Sequence, residues 1–154
     1  MTGLRGGADR PPPTSRVAVR QRLVRRIVSA MLIVVALIHL LPLSGVLGAD
    51  RLQALYGVTL SDPNLIILMR HRAVLFGLLG AGLLIAAVRP ALHGAALIAA
   101  AVSVASFLAL AALAERYDAA IARVVAADVV AAVAIAIGIV AHVLARHRAS
   151  RDRD

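Results

Sequence analysis

The amino-acid sequence predicts an all-α integral membrane protein built as a four-helix bundle, and two observations lead to that prediction. The chain of 154 residues is 61% hydrophobic and has a mean hydropathy of +0.88, whereas soluble domains are roughly 45–50% apolar. It also contains four apolar stretches, each near or above the about 20 residues that a membrane-spanning helix needs. These stretches are residues 27–47, 64–88, 91–113 and 119–144. They leave no room for a soluble catalytic domain of ordinary size.

The charged residues and the lack of cysteine narrow the function classes. No cysteine is present, which excludes disulfides, thiolate metal sites and cysteine nucleophiles. The net charge is +9, and all 17 basic residues are arginines that concentrate at the two ends. Residues 1–26 are predicted to be a disordered cytoplasmic N-terminus and residues 145–154 a cytoplasmic tail. Since these ends lack interleaved aromatic residues and a folded nucleic-acid-binding motif, nucleic-acid binding is not expected.

The loops between the apolar stretches predict the topology. Residues 50–62 and residues 115–118 each carry a net charge of about −1, whereas the turn at 89–90 is basic. This pattern predicts four spans with both termini in the cytoplasm. A cleaved signal peptide is the competing interpretation of residues 27–47, because a basic region precedes them and small residues follow. His39, Pro42 and the length of the stretch argue against it.

The first loop has features of a short helix lying along the membrane surface. Leu52, Leu55 and Tyr56 are spaced for one helical face, and Gly57 can end such a helix. Pro63 can then occupy the first turn of the second span. A plain connecting loop is the alternative.

The second apolar stretch contains an unusual basic triplet, Arg70-His71-Arg72. At 1.5 Å per residue, Arg70 lies about 10 Å and Arg72 about 14 Å along the second span from Pro63. Asp128 lies about 14 Å along the fourth span, and His39 about 15 Å from the exit of the first. Three helices therefore bring ionisable groups to a similar depth. The candidate polar cluster comprises His39, Arg70, His71, Arg72 and Asp128.

A charge inside a bilayer costs about 2.5–3.5 kcal/mol, which favours pairing of Arg72 with Asp128. Arg70 points some 160° away from Arg72, so it is expected to extend toward the membrane surface or to take another acceptor. The pair could simply fix the helix register. Alternatively, the cluster could form a pocket for an anionic or quinone-like headgroup, or relay protons through His39 and His71. In another register the groups would never meet.

Small residues in the second span predict close helix packing. Gly77 with Ala81 and Gly82 with Ala86 have small-xxx-small spacing, and Gly80 lies between them. We expect these five residues to pack mainly within the bundle.

The remaining polar residues give weaker signals. Ser103 and Ser106 are expected to bond to their own helix or to a neighbour. His93, His142 and His147 are interpreted as solvated or helix-capping groups, and no metal site is predicted.

Three segments resemble a group of small, uncharacterised four-helix bacterial inner-membrane proteins, broadly similar to DoxX-like families. They are VALIHLLPLSGVLGADRLQALYGV, DPNLIILMRHRAVLFGLLG and SVASFL, within residues 35–130. The resemblance implies a multi-pass protein of the bacterial cytoplasmic membrane. Some DoxX-like proteins are small subunits of quinone-linked oxidoreductase assemblies, so the resemblance also implies a redox partner.

Members of this group often carry the label phosphopantetheine adenylyltransferase, which the residues do not support. Such enzymes are soluble α/β proteins that bind ATP phosphates through a His-x-Gly-His signature. Here His93-Gly94 is followed by Ala95-Ala96, and the chain has no P-loop or strand–helix alternation. Adenylyltransferase activity is therefore not expected.

The sequence thus predicts a non-enzymatic accessory or assembly subunit, with no catalytic residue and no cofactor. The alternative is a quinone- or lipid-binding membrane subunit of a redox system that uses the polar cluster. The expected partners are the lipid bilayer, a membrane protein or a second copy of this chain, and a quinone or lipid ligand.

Overall fold

The computed structural model describes residues 15–151, with side chains over residues 18–147. Within that part of the chain the fold is entirely helical, with five α-helices and two short 3₁₀ segments. The α-helices are α1 (Ser15–Leu40), α2 (Ala49–Tyr56), α3 (Pro63–Val88), α4 (His93–Leu113) and α5 (Ala119–Arg151); the 3₁₀ segments are Leu41–Leu47 and Pro90–Leu92.

Four helical segments are long and apolar enough to cross a membrane. They are Ala18–Leu47, Pro63–Val88, Pro90–Leu113 and Ala119–His147. Three of these segments match the predicted stretches to within three residues, and the first begins nine residues earlier, so the predicted number of candidate spans is confirmed. The physical reason is that the bilayer core holds no water. Backbone N–H and C=O groups there must bond to each other, and a helix satisfies all of them within one segment.

Helices extend into both basic ends. Residues 1–26 were expected to be disordered, yet α1 begins at Ser15; at the other end α5 continues to Arg151, into the predicted tail. No glycine or proline lies between residues 14 and 41 to interrupt the first helix, so it extends beyond the apolar stretch. Residues 1–14 and 152–154 lie outside the described residues.

The first span changes from α- to 3₁₀-helix where Pro42 enters, because proline cannot donate a backbone hydrogen bond. Gly45 is buried in this segment, and a Cβ atom built on it would lie 2.7 Å from Cδ2 of Leu52. The close approach lets α2 fold back against the end of the first span. The short segment therefore helps to position α2 over the bundle.

The predicted short helix between the first two spans is confirmed. Leu52 and Tyr56 are buried on one face of α2 and form a small core with Leu60. Gly57 ends the helix in the left-handed conformation, at a φ of 72°, and its N–H donates to Gln53 O at 2.8 Å. These local signals fix the element that closes one end of the bundle.

The start of the second span is also as predicted. Asp62 caps α3 by accepting a hydrogen bond from the N–H of Asn64 at 2.8 Å, and Pro63 occupies the first turn.

The core of the bundle forms around α1, which packs against α3 and α5. Val28, Leu32, Val35 and Ala36 of α1 are all within 1% of complete burial. The Ser29 hydroxyl donates to Ala87 O of α3 at 2.6 Å, which ties the middle of α1 to the end of α3. The first helix is therefore the central element of the fold.

The small residues of α3 pack differently from the prediction. Gly77 and Gly80 are buried against Leu43 and Leu40, and Ala86 is buried as well. Ala81 and Gly82 instead face outward, with open space around Gly82. The expectation that all five pack within the bundle is therefore wrong for these two, because the helix rotation places them on the opposite face.

Alternating helix directions give the bundle two chemically different ends. The start of α1, the start of α4 and the last turns of α5 lie together at what we call the basic end, which carries Arg25 and Arg146. We call the other end the loop end; it carries α2, the last part of α1 and the start of α5. Each end contains a cavity.

Candidate functional site: the aromatic cavity

A cavity of about 380 Å³ lies at the loop end between the helices, and we call it the aromatic cavity. Every α-helix and the first 3₁₀ segment contribute to its wall. The side chains that carry its chemistry are His39, Tyr56, Arg72, Phe76, Phe107, Arg123 and Asp128; aliphatic residues complete the lining. The cavity is thus mainly apolar with a few converging polar groups, which is typical of small-molecule sites.

Arg72 is held between two aromatic rings at the side of this cavity. Its guanidinium carbon lies 5.2 Å from the centroid of the Tyr56 ring and 5.0 Å from that of the Phe76 ring. Both distances are within the range of cation–π attraction. Phe76 follows Arg72 by one helical turn on α3, whereas Tyr56 is brought in by α2. The stacking leaves the edge of the guanidinium available for hydrogen bonds.

His39 forms the inner part of the cavity wall and is only 3% exposed. Its Nδ1 lies 2.9 Å from Val35 O, one turn earlier in α1, and its Nε2 lies 3.2 Å from the Ser103 hydroxyl of α4. Since a carbonyl can only accept, Nδ1 carries a proton and donates to Val35 O, while Nε2 and the Ser103 hydroxyl share the second hydrogen bond. Phe76 lies 5.7 Å from the His39 ring. His39 therefore joins two helices and supports the residues that surround Arg72.

Asp128 faces the same cavity from α5 and is half-buried. Arg72 and Asp128 are therefore brought into one cavity, although no hydrogen bond or ion pair joins them within residues 18–147. The predicted ion pair between Arg72 and Asp128 is therefore not formed, because Arg72 stacks between the Tyr56 and Phe76 rings. The guanidinium donors of Arg72 and the carboxylate acceptors of Asp128 therefore both face the cavity and are not used in a bond to each other.

Arg70 and His71 lie outside the cavity. Arg70 is exposed, and its Nε donates to Val46 O at 2.9 Å, which agrees with the expectation of a separate acceptor. His71 is also exposed, so a relay between His39 and His71 has no support in the arrangement of the side chains. Successive helical residues differ by 100° in direction, which explains why only one member of the triplet reaches the cavity.

Sequence reasoning missed most of the aromatic wall. The chain has only two phenylalanines and two tyrosines, and three of these four residues line this one cavity. This scarcity, together with the one-turn spacing of Arg72 and Phe76, was the available signal. Tyr56 and Phe107 belong to other helices, so no local pattern connects them to Arg72.

Tyr56 is expected to make the folding stability of the protein depend on pH. Burial raises the pKa of its phenol above the ordinary value of 10.0, nearby Arg72 opposes this increase, and Asp128 adds to it. The unfolded chain therefore loses this proton at lower pH than the folded chain does, so stability should fall as the pH rises above about 10.

We expect the unfolding temperature to decrease between about pH 9 and pH 11, and to decrease less in Tyr56→Phe. Thermal unfolding followed by circular dichroism measures both. An equal decrease in the two proteins would assign the effect to other groups.

The fold and the cavity together define a class: a helical protein with four candidate membrane spans and, among them, a mainly apolar cavity that carries a few polar groups. Comparisons of the chain with protein families, with curated proteins and with solved structures found no match. The function is therefore argued from the residues of the cavity.

Proposed function

We infer that this protein binds the polar head of a lipid-soluble, quinone-like ligand in the aromatic cavity and acts as a non-enzymatic membrane subunit. One observation carries this inference. Arg72 and Asp128 come from different helices and face one apolar cavity, and no hydrogen bond or ion pair between them uses their capacity. Charged groups within membrane segments generally mark a functional site or have a partner.

The chemistry of the two groups indicates the kind of head that fits. The guanidinium of Arg72 is a donor only and the carboxylate of Asp128 an acceptor only. A ring that carries both carbonyl and hydroxyl oxygens, as quinones and quinols do, can satisfy both groups. The rings of Phe76 and Phe107 offer apolar surface for such a planar head. The resemblance to DoxX-like bacterial inner-membrane proteins supports the same assignment. The basic ends and the acidic loops favour an orientation with both termini in the cytoplasm.

Binding can be measured with a short-chain benzoquinone and its quinol added to purified protein. We expect saturable stabilisation against heat, weakened about tenfold or more in Arg72→Gln and in Asp128→Asn, because each removes a hydrogen bond to a charged group. His71→Gln is the matched control, since His71 neighbours Arg72 but is exposed outside the cavity. Equal binding by all four proteins, or none by the wild type, would contradict the proposal.

A second candidate function, that of an accessory or assembly subunit, is favoured by a different observation. Ala81 and Gly82 of α3 face outward, and nothing lies within 4 Å of a Cβ built on Gly82. Small residues on an outward face allow another membrane helix to approach closely.

Because the chain has no cysteine, Gly82→Cys introduces a unique thiol for crosslinking in native membranes. We expect crosslinks to a second copy or to another membrane protein, and few from Leu84→Cys, which lies on the other side of α3. Equal crosslinking from the two positions would mean that this face has no specific partner.

A further inference from the structure

The basic end contains a second cavity, of about 360 Å³, that the proposed function does not use. We call it the basic cavity. Its wall is formed by the start of α1, the turn before α4, the first residue of α4 and the last turns of α5. The polar residues in this wall are Gln21, Arg25, His93, His142 and Arg146. The volume is about twelve times the ~30 Å³ that one water molecule occupies in the liquid, so a larger polar group fits.

His93 is the informative residue of this cavity. It was expected to be solvated, but it is 2% exposed, and its Nε2 atom has no hydrogen-bond partner among the described residues. Its ring lies 6.5 Å from the ring of His142, and a Cβ atom on the adjacent Gly94 would lie 3.4 Å from His142 Nε2. The close packing of α4 against α5 explains the burial. A buried polar atom without a protein partner is uncommon and requires an explanation, such as a bound water, ion or ligand.

The charges around His93 indicate the sign of that ligand. Arg25 on α1 and Arg146 on α5 line the cavity, and no acidic side chain does so within residues 18–147. His93 is the first residue of α4, and its N–H already donates to Pro90 O of the preceding 3₁₀ segment. The positive charge of this wall therefore comes from the two arginines, which favour an anion.

We propose that the basic cavity binds a phosphate group through the guanidinium groups of Arg25 and Arg146, beside the buried ring of His93. Arginine forks match phosphate oxygens. The cavity also lies at the end of the spans, where the phosphates of lipid headgroups are concentrated. The ligand is therefore a lipid phosphate or a free phosphate. This proposal is independent of the quinone-like ligand, because the two cavities occupy opposite ends of the bundle and share no lining residue.

Two measurements on the full-length protein in a neutral detergent test the proposal. Native mass spectrometry counts retained phosphatidylglycerol against phosphatidylcholine, and thermal unfolding compares inorganic phosphate with chloride at equal ionic strength. We expect the double variant Arg25→Gln with Arg146→Gln to bind about tenfold more weakly, since arginine–phosphate hydrogen bonds are charge-assisted. His93→Phe tests whether the buried ring nitrogens contribute to binding, and circular dichroism verifies that each variant is folded.

Arg22→Gln combined with Arg26→Gln is the matched control, because both arginines are exposed on α1 near Arg25 but do not line the cavity. Selective loss of phosphatidylglycerol in the cavity variants supports a lipid phosphate as the ligand. A stabilising effect of inorganic phosphate alone, lost in the same variants, supports free phosphate. Equal weakening in the control would assign binding to general surface charge, and no binding of either probe would exclude the site; both results overturn the proposal.

Discussion

Gly80→Val is expected to destabilise the bundle by about 2–3 kcal/mol, the range that overpacking of a close contact produces. A Cβ atom on Gly80 would lie 2.8 Å from Cγ of Leu40 and 3.1 Å from the backbone oxygen of Ala36. The Leu40 side chain can move, but the carbonyl of α1 cannot move without shifting the helix. Since α1 is the central helix, the added methyl groups must push α3 away from the core.

Gly82→Val is the control for this prediction, because a Cβ atom there meets nothing within 4 Å. The two substitutions are chemically identical and lie two residues apart in one helix, so their difference isolates the packing contact. Thermal unfolding in detergent, followed by circular dichroism, gives the comparison. Equal stability of the two variants would mean that α1 and α3 do not cross at Gly80.

Arg72→Gln is expected to have the second large effect, a loss of about 2 kcal/mol. The substitution removes two cation–π contacts, each worth about 0.5–2 kcal/mol. It also leaves Asp128 facing the cavity with less positive charge nearby. Arg72→Lys should recover only part of the loss, because an ammonium group lacks the planar surface that stacks on the Tyr56 and Phe76 rings. Thermal unfolding without added ligand measures both variants.

Double-mutant cycles determine which partner stabilises Arg72. The structure predicts that Arg72 is coupled more strongly to Phe76 than to Asp128, since only the ring is in direct contact. Direct pairing, as the sequence suggested, predicts instead that Arg72→Asp combined with Asp128→Arg restores stability. Recovery by this charge swap, with negligible coupling to Phe76, would show that the pair and not the stacking holds Arg72.

Local features of the fold followed from the sequence because short-range physics determines them. The number and bounds of the candidate spans depend on apolar length, which is counted directly along the chain. Gly57 ends α2, and Asp62 with Pro63 starts α3, through hydrogen bonds that involve neighbouring residues. Burial of Leu52 and Tyr56 followed from their spacing, because α2 has one apolar face and one polar face.

Only the tertiary structure determined how the long helices are rotated about their axes. α3 is apolar on every side except at its basic triplet, so its sequence does not distinguish the face toward lipid from the face toward α1. This ambiguity explains why Gly80 packs inside while Gly82 faces outward. It also explains why Arg72 reaches the rings of Tyr56 and Phe76 while His71 lies outside the cavity.

The basic cavity also depends on the tertiary packing of the helices and not on a local sequence pattern. His93 and His142 are 49 positions apart in the sequence, and only the packing of α4 against α5 brings their rings together. The sequence by itself determined that the chain forms helices suited to a membrane, and it placed ionisable groups at a common depth. The tertiary structure decided which of these groups meet, because in an apolar solvent side-chain packing, rather than a hydrophobic stripe, sets the orientation of each helix.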